Sequence, residues 1–88
     1  MLNDVGGLRV NNNPITDDLN NYIQTGTYIL NGNLIENLPS DVSIPYGTLF
    51  VIGNWMNVRQ MLMLNNDTFI YVRNYRVNSK SWSSWRKI

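Results

Sequence analysis

Cysteine and histidine are both absent from the 88 residues. Without cysteine there are no disulfides, no thiolate metal sites and no thiol nucleophile. Without histidine the usual general base near neutral pH and the commonest neutral metal ligand are missing as well. Charge is scarce: seven Lys or Arg stand against six Asp or Glu, a net of +1. Such a surface steers little towards nucleic acid or anionic lipid. No stretch approaches the roughly 20 apolar residues of a membrane-spanning helix. The opening Met1-Leu2-Asn3-Asp4-Val5-Gly6-Gly7 has neither the basic start nor the apolar run of a secretion signal.

What is plentiful is asparagine, 15 of 88 residues. Asn tolerates left-handed turn conformations and carries both a donor and an acceptor. That suits a loop-rich β protein, and also a weakly charged surface that meets sugar hydroxyls. A chain of this length makes one domain with a thin core. An unstapled domain so small often gains stability by association, so an oligomer is expected.

Residues 1–15 read as a connector from an upstream region, with Gly6-Gly7 and Asn11-Asn12-Asn13-Pro14 and little periodicity. The domain proper is expected over 16–88. Thr16 is placed to cap a short helix with Asp17 and Asp18 in its first turn and Leu19, Tyr22 and Ile23 on one face. Gly26 stands where a left-handed stop would fall. A short strand over 27–30 ends at Asn31-Gly32-Asn33, and 34–47, with Pro39, Pro45 and Gly47, reads as an irregular crossing. Strands over 48–52, 58–64 and 69–75 follow, joined by connections short enough for hairpins. The expected fold is mainly β, an antiparallel meander of about four strands with one short N-terminal helix. Neither face alternates cleanly between apolar and polar, so both need cover. The crossing or another copy of the chain is expected to cover the second.

Catalysis finds little support. Asp17 and Asp18 suit a helix start, and Glu36 and Asp41 lie in a Pro-bounded loop without a polar constellation around them. Ser83-Ser84 has no base beside it, and no phosphate loop or metal spacing occurs. The chain is read as a non-enzyme without cofactors. Cationic residues (Arg59, Arg73, Arg76, Lys80, Arg86 and Lys87) interleaved with Tyr71, Tyr75, Trp82 and Trp85 would suit single-stranded nucleic acid. The near-neutral charge argues against that partner.

The tail runs Trp82-Ser83-Ser84-Trp85-Arg86-Lys87-Ile88. Two tryptophans three apart serve a thin core, or stand exposed as platforms for sugar rings. Taken in order, Asp18-Leu19-Asn20, Gly26-Thr27-Tyr28, Pro39, Gly47-Thr48-Leu49-Phe50-Val51, Gln60, Tyr71-Val72-Arg73 and this tail resemble the pyocin knob of phage tail fibres and receptor-binding proteins. The resemblance spans residues 17–88.

It implies a homotrimeric virion protein, part of a larger tail or fibre protein, without metal or organic cofactor. Its recurrent positions map onto Gly26, Tyr28, Gln60, Arg73, Trp82 and Trp85. The function it implies is that of a C-terminal fibre module aiding host attachment through a surface glycan. The alternative is an assembly and stabilising module of a larger fibre or depolymerase, made from an internal start. Arg73 is expected to stack on Trp82 or Trp85, and Gln60 to satisfy backbone groups of the tail. For a glycan, the candidate residues are Asn54, Trp55, Tyr75, Arg76 and Asn78, at loop or strand ends where an exposed aromatic calls for a reason.

Overall fold

The computed structural model describes residues 10–88. The first nine residues of the expected connector lie outside them. Among the described residues seven strands form one sheet: β1 (Val10–Pro14), β2 (Gly26–Asn31), β3 (Tyr46–Gly53), β4 (Asn57–Leu64), β5 (Ile70–Arg76), β6 (Ser81–Trp82) and β7 (Arg86–Lys87). The order is β1-β2-β3-β4-β5-β6, with β7 also on β5. The meander of β2 to β5 follows the expectation, but there are more strands than the four read from the sequence. Pairing is antiparallel throughout except for β1, which joins β2 in parallel.

The expected helix is reduced to one 3-10 turn over Leu19–Asn21, and its cap is Asp18, not Thr16. Asp18 Oδ1 accepts the Asn20 N–H at 2.8 Å. Ile23 is exposed, so the apolar face drawn through it does not exist. The cause lies in the sheet. The buried Gln60 amide donates to Leu19 O at 2.7 Å and to Tyr22 O at 2.9 Å, so these carbonyls bond sideways. Gly26 begins β2 and does not end a helix.

Register divides the side chains cleanly. Leu30, Leu49, Val51, Val58, Leu62 and Tyr71 are buried on the inner face, joined by Ile15 and Leu19 from the chain that crosses it. The 3-10 turn, the irregular 33–45 crossing and the tail all cover this one face. Leu19 N–H donates to Glu36 O at 3.1 Å, Glu36 N–H to Asp17 O at 2.9 Å, and Trp85 Nε1–H to Asn37 O at 2.9 Å. The crossing therefore does not cover the second face, contrary to one of the two expectations.

Two glycines are required by space. Gly32 has a φ of 80°, and a Cβ there would meet the Tyr46 ring. A Cβ on Gly47 would run into the Met63 carbonyl of the neighbouring strand.

The tail packs along β5 as an interrupted strand. Trp82 stands opposite Tyr75 and Lys87 opposite Tyr71. The tail thus spends one residue more than β5 between these pairs, which is a bulge. In an unbroken strand two residues three apart would face opposite ways. The bulge turns both tryptophans inward.

Candidate functional site

The inner face holds a polar centre. Gln60 and Arg73 are buried at 0% and 6% exposure. Arg73 Nε–H donates to Gln60 Oε1 at 2.8 Å, and Nη2–H to Asn20 Oδ1 at 2.9 Å. The guanidinium carbon lies 3.8 Å from the centroid of Trp82 and 4.6 Å from that of Trp85. Burial pulls the Arg73 pKa down to about 10, opposed by the Asp18 charge, and it stays cationic at neutral pH. Among the described residues no buried side-chain polar atom lacks a partner. The buried polar atoms of this centre thus find their partners within the fold, in a network that draws β4, β5 and the 3-10 turn together.

The expected stacking of Arg73 on tryptophan is present, on both rings. Gln60, however, holds the 3-10 turn and not the tail. Tyr28, from the same set, donates its hydroxyl to Gln24 O at 2.9 Å and packs edge-on against Tyr22. Trp82 and Trp85 are half-buried over the guanidinium. They are not open platforms.

The residues put forward for a glycan lie towards one end of the sheet but do not form one surface. Trp55 is 79% exposed at the tip of the β3–β4 hairpin. Asn54 shapes that tip: its Oδ1 accepts the N–H groups of Met56 at 2.8 Å and Asn57 at 3.0 Å. This turn occupies the acceptor a sugar would use. Tyr75 is half-buried, 4.7 Å from the Trp82 ring. Arg76 and Asn78 share a cleft of about 350 Å³ with Met56, Asn57 and Ser79. The Val77 N–H donates to Met56 O at 3.0 Å and joins this cleft to the hairpin.

At the opposite end, Asp41 accepts from the Tyr71 hydroxyl at 3.1 Å and pairs with Lys87 Nζ at 2.8 Å. The Lys87 bond holds the Asp41 carboxyl below its ordinary value, and burial pushes the Tyr71 phenol up. Glu36, from the same loop as Asp41, bridges to Asp18 through the backbone. No group of three or more metal-binding side chains exists among the described residues.

The outer face is the second face that the sequence marked as needing cover. Cross-strand pairs there run Thr27–Phe50–Met61–Val72 and Ile29–Thr48–Met63–Ile70. Ile52 is 51% and Met63 45% exposed. No other described element packs over these rows. The signal was the failure of alternation in 48–52 and 58–64, which gave the face but not what covers it.

A family model described as the XkdV N-terminal domain matches residues 2–88. The chain belongs to that family, a phage-associated tail domain. No curated protein and no solved structure matches it. The phage association expected from the resemblance thus stands, on a family other than the pyocin knob.

Proposed function

We propose that this member of the XkdV N-terminal domain family is a non-catalytic assembly module of a phage tail protein, joining copies of the chain through the outer face of its sheet. The observation that carries the reading is the apolar band of Ile29, Phe50, Ile52, Met61, Met63 and Ile70. Uncovered apolar area of this kind marks an interaction surface in a soluble protein. A second copy is the fitting occupant. The band carries no carboxylate and only Arg59 beside Ile52, so two such faces meet without desolvating many charges. The trimeric state follows from the resemblance to fibre knobs and is part of the proposal. The family's association with phage tails supports a place in the tail.

Light scattering on the full chain at micromolar concentration tests this. A homo-oligomer is expected, and Phe50→Lys should convert it to a folded monomer. A monomeric parent chain would overturn the reading.

A second reading, attachment to a host surface glycan, is favoured by one observation, the 79% exposure of Trp55. Aromatic faces exposed at loop tips suit sugar rings, and many weak contacts on one tail would add by avidity. Trp55→Ala should then reduce binding to host cells without changing oligomeric state.

A further inference from the structure

A concentration of unpaired like charge lies on the outer face at the β5–β7 edge, away from the hairpin tip. Arg59 stands opposite Asn74 across β4–β5, and Arg86 opposite Val72 across β5–β7. Residues 72 and 74 are two apart and share a face. The two arginines therefore flank β5 on the same side of the sheet, one residue pair out of step. Strand spacing and rise put their Cα atoms about 12 Å apart. Two long side chains close such a gap onto one small group.

Between them is a cleft of about 340 Å³, with Val72 at its floor and Asn74, Ser83 and Ser84 around it. Val72 is 7% exposed, so the floor is dry, while both arginines are exposed at the mouth. Among the described residues neither Arg59 nor Arg86 makes an ion pair; that of Lys87 with Asp41 lies on the other face. Three carboxylates are engaged elsewhere: Asp17 with Asn21 and Tyr22, Asp18 with Asn20 and Asn37, and Asp41 with Tyr71 and Lys87. None lines the cleft. Arg73, which also lines the cleft, adds a third positive charge, bonded to amide oxygens and to no carboxylate. The Ser83 hydroxyl is committed, accepting the Asn74 N–H and donating to Ser84 O. The Ser84 hydroxyl has no bond among the described residues.

We propose that this cleft binds one carboxylate or phosphate group carried on a sugar, gripped between Arg59 and Arg86. Guanidinium forks match the oxygens of either group and bind them in pairs. A sugar fits better than an acidic peptide for two reasons. The volume lies at the low end of small-ligand pockets, and the open Ser84 hydroxyl beside the apolar Val72 surface suits a ring that carries both hydroxyls and a C–H face. The cleft sits at the β5–β7 edge, whereas the apolar band is centred on β2 to β4, and the two share Arg59 at their border.

The test is amide NMR on the full chain titrated with glucuronate, glucose 6-phosphate and glucose, with Arg59→Gln and Arg86→Gln as variants. Saturable shifts at residues 72–74 and 83–86 are expected with one or both acids and none with glucose. Which acid responds identifies carboxylate or phosphate. Each variant should weaken binding about tenfold or more, and added salt should weaken it in the parent. Both arginines are exposed, and an unchanged spectrum elsewhere reports that the variants fold. Equal shifts with glucose, no response at millimolar acid, or undiminished binding in the variants would overturn the proposal. So would tighter binding of tetraglutamate than of either sugar, which would assign the cleft to a protein partner.

Discussion

Arg73 is held by two ring faces and two amide oxygens, and each contact uses a different property of guanidinium. Planarity lets Trp82 and Trp85 stack on it, and the Nε–H and Nη2–H point at Gln60 and Asn20. Arg73→Ala would empty this space and leave the buried Gln60 Oε1 and the part-buried Asn20 Oδ1 without this partner. A loss of about 3 kcal/mol is expected from denaturant unfolding. Arg73→Lys should lose most of the same amount, because an ammonium keeps the charge but neither the fork nor the plane. A lysine variant as stable as the parent would show that charge alone matters there. The stacking was legible in the sequence, since an arginine amid strand residues with a tryptophan pair downstream has few other partners. The role of Gln60 was not. Its targets are backbone carbonyls 38 and 41 residues away, and backbone atoms leave no trace in a sequence.

The elements show the same division between local and distant causes. The four long strands were readable because apolar runs and Asn-rich turns are local signals, and their ends shift by only a residue or two. The helix failed because spacing at Leu19, Tyr22 and Ile23 fits a helix equally well whether or not a distant amide takes its carbonyls. The tail's two short strands were hidden by their bulge. Their anchor is the Lys87–Asp41 pair, half-exposed on both sides, so its contribution is modest. The sign is clear nonetheless. Asp41 titrates below its ordinary 3.8 in the folded chain, chiefly through Lys87. The pair's contribution is therefore full above about pH 4 and lost as pH falls through the lower folded value. Lys87→Met should lower the melting temperature at neutral pH and make little difference well below that point. Its carboxyl carbon signal should also titrate closer to 3.8. A difference that persists unchanged into acid would assign the effect to packing of Lys87 on Phe69, whose ring centroid is 4.7 Å from the ammonium.

At the scale of the whole molecule, one sheet is covered on one side by irregular chain, so every covering segment matters to a thin core. Ile15 shows how far this reaches. It is 1% exposed, its N–H donates to Ile29 O at 2.8 Å, and it directly follows β1. A domain cut at residue 16 would lose this side chain and the parallel strand beside β2 together. Truncating a buried isoleucine alone typically costs about 2–5 kcal/mol. Removing β1 also uncovers the β2 edge, a row of unpaired backbone groups that invites pairing with another chain. The fragment 16–88 is therefore expected to melt well below the full chain and to aggregate. A shorter deletion that removes residues 1–9 and leaves β1 in place separates the two contributions from any effect of the opening residues. If 16–88 instead matched the full chain in melting temperature and solubility, β1 and Ile15 would be an accessory edge, and the core would have to be complete from Leu19 onward.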